Sequence, residues 1–334
     1  MSFKSFDLAH DVASLVSSIN EVVSISSSLF SGSSLNVKQF NNIATGTSAT
    51  ALGGYWQTVY DSTPASQAST ALFDVTYGYA TGSALRIAGF ASGSLDEKTK
   101  VYREMASMLL GDANANFTIN SLAQTECFFI LVKRGLMKDE LKKGSIGLYL
   151  NDISGTTFIT GTDTNAATSF KQTIGGDYSP IFSGSSEIAQ VWYNAGVIVV
   201  PDSGTGIPWS GSAVWSGTLT LNNMQSGSTI DQIVNGFRNH VARINFHNQT
   251  NLYSTVYFCR ATNTEFNYSS NPTYVDSAQR IRVTSGSNVL QSRTYVTTIG
   301  LYDANDNLLA VGKLNKPITK APDLESIYRI RLDY

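Results

Sequence analysis

Charged residues are scarce in this sequence. Asp, Glu, Lys and Arg make up 14% of its 334 residues, well below the roughly 25% that is typical of globular domains. The formal net charge is −2 and no basic run occurs, so the electrostatic footprint of a nucleic-acid-binding protein is missing. We therefore expect no nucleic-acid partner. Polarity comes instead from Ser, Thr, Asn and Gly, which suits β-rich proteins and surfaces that neighbouring subunits cover.

Cysteine and histidine are also rare. The two cysteines, Cys127 and Cys259, are far apart and lie in apolar, strand-like stretches, so the sequence predicts two buried free thiols and no disulfide framework. Free thiols fit a protein that is assembled in a reducing cytoplasm. Of the three histidines, His240 and His247 are seven residues apart, but no third ligand has a matching spacing. No metal site is predicted.

Motifs of common enzyme classes are missing as well. There is no G-x-S-x-G elbow and no G-x-x-x-x-G-K-[ST] loop, and the glycine-rich segment 204–211 lacks the strand–loop–helix context that holds a phosphate. We expect no enzymatic activity and no cofactor. No window holds 18 uninterrupted apolar residues, so no membrane span is expected.

Apolar residues recur at helical spacing near the N-terminus. They are Leu8, Val12, Leu15, Val16, Ile19, Val22 and Val23. This pattern predicts a helix over 6–30, within an N-terminal helix or arm that covers 1–34. Its other face is mostly serine, so we expect the helix to pack on the body or on a partner chain, with Leu15, Ile19 and Val22 as contact residues.

Two further helices and several strands are predicted. The segment 95–110 carries an apolar stripe and ends at Gly111, a common helix stop, and 229–244 places five apolar residues on one face. The run 127–132 indicates a buried strand. Short strands with turn signals about every ten residues fill 151–222, which is typical of a β-sandwich or meander.

The predicted fold class is α+β and predominantly β. It has antiparallel sheets, a few peripheral helices and a β-sandwich-like inserted domain. We assign 151–228 to this β-rich insertion. The segments 35–150 and 229–334 form a mixed α+β body with a C-terminal antiparallel sheet, because residues alternate in polarity up to the final tyrosine.

The stretch "LYDANDNLLAV" at 301–311 fits two structures. Asp303, Asn305 and Asn307 match the first three ligand positions of a calcium-binding loop, but Leu308 replaces its glycine and Leu314 replaces its bidentate glutamate. Strand-like segments flank the stretch, and Asn and Asp favour tight turns. The sequence therefore predicts a hairpin turn here.

Three C-terminal segments resemble structural proteins of the virions of large contractile-tailed bacteriophages. They read "EFNYSSNPTYV" (265–275), "RTYVTTIGLYDANDNLLAVGKLNKPI" (293–318) and "YRIRLDY" (328–334), and the resemblance is confined to about 265–334. It implies a virion component, with a place in the tail or baseplate wedge, assembled in the host cytoplasm. Its implied partners are other virion proteins and copies of itself. No catalytic residue carries over from the family.

Aromatic residues supply further candidate contacts, since aromatics anchor many interfaces. We select Trp209, Tyr268 and Tyr274. Two alternatives stay open: a capsid-decorating or neck protein, and a receptor- or glycan-binding tail fibre or spike. The second rests on tryptophan and tyrosine side chains of the middle region that could stack on sugars, namely Trp192, Tyr193, Trp209 and Trp215.

Overall fold

The computed structural model describes most of the chain, in two compact units. The described residues are 4–26, 37–39, 55–61, 69–83, 97–151, 158–202, 214–216, 219–220, 230, 233–234, 237, 241–269, 271–280, 282 and 293–334. The first unit comprises Met1–Ser18 and Asn251–Tyr334, and the second comprises Ile19–Thr250.

Strands dominate both units, which confirms the predicted β-rich α+β fold with antiparallel sheets. Within the described residues, the helices with defined ends are α1 (Glu97–Leu110), α2 (Arg134–Met137) and a 3₁₀ turn at Thr164–Ala167. The strands are β1 (Val12–Ser26), β2 (Val37–Gln39), β3 (Gln57–Tyr60), β4 (Ala71–Tyr79), β5 (Phe117–Ile119), β6 (Leu122–Gln124), β7 (Glu126–Val132), β8 (Glu140–Leu141), β9 (Gly147–Asn151), β10 (Phe158–Thr162), β11 (Lys171–Thr173), β12 (Gly176–Ser183), β13 (Ser186–Trp192), β14 (Val197–Pro201), β15 (Val214–Ser216), β16 (Leu219–Thr220), β17 (Val241–Ala261), β18 (Thr294–Tyr302), β19 (Leu308–Lys320) and β20 (Ser326–Asp333).

The second unit is built on one large sheet. Its strands follow the order β17, β9, β10, β12, β13, β14, β7, β4, β3, β2, and the pairings from β9 to β2 are antiparallel. The strands of 158–201, which were expected in a β-rich insertion, continue the same sheet as β7 and β9. The three-part division of the chain stays a prediction.

Strand β7 is the centre of the core, and both of its faces are covered. On one face, Phe129 packs against Tyr102 of α1 and against Phe117, with ring centroids 6.2 and 5.6 Å away. On the other face, the rings of Phe128 and Phe237 stack with centroids 4.2 Å apart. A strand that is buried on both faces needs apolar residues at successive positions. This explains the run "CFFILV", and the predicted buried strand is confirmed.

Helix α1 confirms the helix predicted over 95–110. It buries Val101, Tyr102 and Leu109 and ends where Gly111 adopts a φ of +85°. The amide of Gly111 donates to the carbonyls of Ala106 and Ser107, so the glycine closes the last turn in a left-handed conformation that other residues adopt only with strain.

The helix predicted over 6–30 is wrong, because Val12–Ser26 form strand β1. Apolar residues at i and i+4 share one face of an extended chain as well as of a helix, and only the residue at i+3 distinguishes the two patterns. The segment is rich in valine, isoleucine and serine, which are poorer helix formers than alanine, leucine or lysine. Pairing with β17 gives the backbone amides and carbonyls of β1 hydrogen-bond partners, whereas a helix of this composition would have little intrinsic stability.

The helix predicted over 229–244 is correct only in its first part. Ile230, Ile233, Val234 and Phe237 are helical and buried, as their spacing indicates. Val241, however, opens strand β17, which runs on to Ala261. The run "VARINFHNQT" alternates in burial instead of following a helical period.

The first unit contains the C-terminal strands. The second half of β17 pairs with β20 from Ser254–Asp333 to Ala261–Ser326, so the C-terminal residues lie in a sheet as predicted. Along β20, Arg329, Arg331 and Asp333 are exposed, while the intervening residues are more buried. Strands β18 and β19 form a separate two-stranded sheet.

Candidate interaction surfaces

Buried ionisable groups in the second unit hold loops together. The carboxylate of Asp163 accepts hydrogen bonds from the amides of Gly144 (3.0 Å) and Ile146 (2.8 Å) and from the hydroxyl of Tyr193 (2.7 Å). Burial raises the pKa of Asp163, and the hydrogen bonds only partly offset that effect. These contacts join the 3₁₀ turn to the loop before β9, which is a structural role.

The buried thiol of Cys127 is unsuited to nucleophilic chemistry. Cys127 is fully buried in β7, and desolvation, with smaller contributions from Glu126 and Asp202, raises its pKa. The thiolate is the nucleophilic form of cysteine. Cys259 is half-buried, and burial also raises its pKa. Both cysteines are free, but only one of the two is buried as predicted.

Among the described residues, no three His, Cys, Asp or Glu side chains are grouped as metal ligands would be. One shallow depression lies beside β10 and β12, and every residue that lines it is uncharged. Its lining residues are Thr160, Thr162, Thr164, Asn165, Phe182, Gly184 and Ser185. Hydroxyl and amide groups beside an aromatic ring can bind a neutral polar ligand.

Strand β1 carries the N-terminal residues that were predicted to form contacts. Leu15 in the first unit, and Ile19 and Val22 in the second, are all exposed. Val22 exposes 73% of its surface. These residues therefore lie on the surface, but on a strand and not on a helix face.

The β18–β19 hairpin bears a group of exposed apolar side chains, which we call the hairpin patch. It consists of Tyr302, Leu308, Leu309 and Val311. Leu309 exposes 66% of its surface and Val311 exposes 56%. Large apolar side chains exposed side by side mark interaction surfaces more often than scattered single ones do.

The geometry around Gly300 places three members of the hairpin patch, Tyr302, Leu308 and Val311, on one face. A Cβ atom on Gly300 would lie 2.8 Å from the ring of Tyr302 and 3.3 Å from Leu308. Gly300 is paired with Val311 across the hairpin, so Val311 points to the same side. A bulge between the Leu301 and Tyr302 pairings accommodates Leu309 as the extra residue.

The stretch "DANDN" forms the turn at the tip of the hairpin, which confirms the predicted hairpin turn. The carboxylate of Asp303 accepts hydrogen bonds from the amides of Asn305 and Asn307, both at 2.8 Å, and from the side-chain amide of Asn307 at 2.9 Å. These bonds lower the pKa of Asp303. The carboxylate oxygens of Asp303 therefore close the turn.

The three aromatic candidates have different surroundings. Tyr268 is exposed. Tyr274 is half-buried and donates a hydrogen bond from its hydroxyl to the carbonyl of Arg293 at 2.6 Å, which ties the loop to the start of β18. Trp209 lies outside the described residues. Their role in contacts stays a prediction.

The hairpin patch was not predicted from the sequence, although a signal for it exists. Leu308 and Leu309 are adjacent and follow directly after the turn. In a regular strand adjacent residues point to opposite faces, so at least one of the two leucines has to lie away from the face that packs on the subunit. A strand that begins with two leucines beside a tight turn therefore indicates an exposed apolar end.

Comparison with known proteins gives no relative for this chain. No family model matches it, and neither the curated proteins nor the solved structures contain a match. Within the described residues, no helix has both the length and the apolar character needed to cross a bilayer.

Proposed function

We propose that the chain is a structural subunit of a bacteriophage virion that acts through protein–protein interfaces and not through catalysis. Two observations on the sequence support this proposal, in addition to the structural one given below. The segment 265–334 resembles virion proteins of contractile-tailed phages, and the sequence has little charge but many aromatic residues. Interface cores are depleted of charge and enriched in aromatics.

The observation that carries the proposal is the hairpin patch. It lies within the segment that bears the resemblance, and it exposes Tyr302, Leu309 and Val311 side by side. Exposed apolar side chains lower the solubility of a free protein, but they can anchor the contact between subunits in an assembly. A place in the tail or baseplate, in a wedge-like position, follows from the resemblance alone.

Mass spectrometry of purified particles is the direct test. We expect peptides of the chain in particles that have been washed at high salt, at a ratio to a known tail protein that stays constant between preparations. Electron microscopy of the same particles, with a tagged chain, would then locate it in the baseplate, the neck or the capsid. Absence from washed particles would contradict the proposal, and density on the capsid or neck would favour a decorating or neck protein.

A glycan-binding tail fibre or spike is the second candidate. Two of the aromatic residues that suggested it, Trp192 and Tyr193, are fully buried and cannot stack on a sugar. The depression beside Phe182 offers a different basis, because hydroxyl groups and an aromatic ring suit a neutral saccharide. Binding on a glycan array that Phe182→Ala abolishes, with Phe170→Ala as an exposed aromatic control, would favour this candidate. An array without binding would argue against it.

A further inference from the structure

We propose that two copies of this chain pack face to face through the hairpin patch, antiparallel to each other about a twofold axis. The contact is one of the interfaces that the proposed virion role requires, and in that respect it rests on the proposed function. It is a property of the purified chain, however, and is measured without particles.

Within the described part of the chain, the hairpin patch lies on the exposed face of the hairpin. On the opposite face, a Cβ atom on Gly312 would lie 3.7 Å from the side chain of Ile330 in β20, so that face packs within the first unit. Gly312 and Val311 are neighbours and point to opposite sides. The patch therefore faces away from β20, where a second molecule can reach it.

An acidic residue lies at one end of the hairpin patch and a basic residue lies at the other end. At the tip of the turn, Asp306 is exposed. At the other end, Lys313 is exposed and lies two residues beyond Val311 with no register shift between them, so it shares the face of the patch. The ion pairs found among the described residues include neither Asp306 nor Lys313.

This order of charges makes the face complementary to itself. In an antiparallel twofold contact, the residues of one hairpin meet those of the other hairpin in the reverse order. The apolar residues then pack on each other in the middle. The acidic tip of each copy lies beside Lys313 of the other, whereas a parallel arrangement would set like charges together. A second copy is thus the occupant that the charges of this face favour.

The contact should be weak on its own. Four side chains and two charges cover less than the roughly 800 Å² per partner of a standard interface. We expect a dissociation constant on the order of 0.1 mM for the purified chain. Weak contacts of this kind become effective when other interfaces hold the subunits close together.

Sedimentation equilibrium of the full chain, at protein concentrations up to about 1 mM, tests the proposal. The wild type should show a monomer–dimer equilibrium. Lys313→Glu and Asp306→Lys should each weaken it by about tenfold or more, because each sets like charges together twice. An equimolar mixture of these two variants should recover dimers, since every contact then joins opposite charges.

Two controls separate this result from a folding defect or a general effect of charge. Lys100→Glu reverses an exposed charge on α1 and should leave the equilibrium unchanged. Each variant should keep the thermal melting curve of the wild type to within a few degrees. Asp306 has a φ of 61°, a region that aspartate adopts more readily than lysine, so the melting curve of Asp306→Lys is also the check on backbone strain at this position.

A wild type that stays monomeric over the whole range overturns the proposal. Dimers that resist both charge reversals overturn the antiparallel arrangement. Dimers that are lost in each single variant and recovered in the mixture support it. If the chain stays monomeric but Val311→Asp removes it from particles, the occupant of the patch is another virion protein, and the virion role stands while the homotypic contact does not.

Discussion

Single buried polar residues fix the loops of both units. Asp163 accepts three hydrogen bonds, two of them from backbone amides. Asp163→Asn keeps the shape of the side chain but turns an amide group toward these donors. We expect the free energy of unfolding of the second unit to fall by about 1–3 kcal/mol, measured by denaturant titration with tryptophan fluorescence. Asn165→Asp, an exposed change nearby, serves as the control and should have little effect.

The same residue should impose a pH dependence of known sign. Burial raises the pKa of Asp163 above its ordinary value of 3.8, so the folded protein holds the proton at pH values where the unfolded chain has released it. The unfolding free energy therefore falls as pH rises through this window. Because the asparagine variant does not titrate, its deficit should be largest near pH 4 and smaller at neutral pH. A deficit that grows toward neutral pH would contradict the raised pKa.

Lys320 is a buried cation of the first unit. It is fully buried, and its ammonium group donates hydrogen bonds to the side chain of Asn267 and to the carbonyl of Ala321, both at 3.0 Å, and to the carbonyl of Asn263 at 3.4 Å. Lys320→Met preserves the volume but removes the donor to the buried carbonyl of Ala321 and to the two more exposed oxygens. We expect a loss of about 1–3 kcal/mol in the protection of β18 amides against hydrogen exchange.

The exposed Lys316 on the same strand gives the matched control. Lys316→Met removes the same charge without uncovering buried acceptors, so the exchange of β18 amides should change by less than about 0.5 kcal/mol. If Lys320→Met proved as stable as the wild type, the free-energy cost of burying the ammonium group would equal the stabilisation that its hydrogen bonds provide.

The packing of α1 against β4 depends on a glycine. A Cβ atom on Gly78 would lie 2.7 Å from the carbonyl oxygen of Lys98 and 2.7 Å from the amide nitrogen of Tyr102, and backbone atoms of a helix cannot easily move away. Gly78→Ala should destabilise the second unit by about 1–3 kcal/mol, measured by denaturant titration. At Gly82 an added Cβ meets nothing within 4 Å, and Gly82→Ala should have little effect.

Elements with signals at both ends could be predicted from the sequence, and elements defined by distant pairing could not. Helix α1 has an acidic first turn and a glycine stop, and the hairpin turn has Asp303 and Asn307. Each of these signals acts within a few residues. Strand β1 and the start of β17 carry apolar residues whose spacing fits a helix or a strand. Pairing with distant strands decides between them, since β1 pairs with β17 and the start of β17 also pairs with β9, where Val241 lies opposite Leu150.

The interaction surfaces followed the same rule. Leu15, Ile19 and Val22 were predicted as contact residues on a helix, and they are exposed on strand β1. The prediction of contact rested on the uncharged, serine-rich composition of the segment, which does not depend on whether the segment is a helix or a strand. The hairpin patch depends on register, because a one-residue shift in the pairing of β18 with β19 would turn Val311 to the opposite face. The register becomes apparent only when the pairing of Gly300 with Val311 is known.

At the scale of the whole molecule, the two compact units should respond separately to mutations. All four tryptophans of the sequence, Trp56, Trp192, Trp209 and Trp215, belong to the second unit, Ile19–Thr250. Tryptophan fluorescence therefore reports the unfolding of that unit, whereas hydrogen exchange of β18 reports the first unit. Gly78→Ala should shift the fluorescence transition to lower denaturant, and Lys320→Met should leave it in place while β18 amides exchange faster.

The reverse pattern completes the test, because Gly78→Ala should leave the exchange of β18 amides close to that of the wild type. If both probes shift together in both variants, the chain unfolds as one cooperative unit and its two compact parts are not independent. Independence would suit a virion subunit, since the unit that carries the hairpin patch could then be stabilised by its neighbours without any change in the large sheet. Independent unfolding of the two units would therefore agree with the interface role that we propose for the unit that carries the hairpin patch.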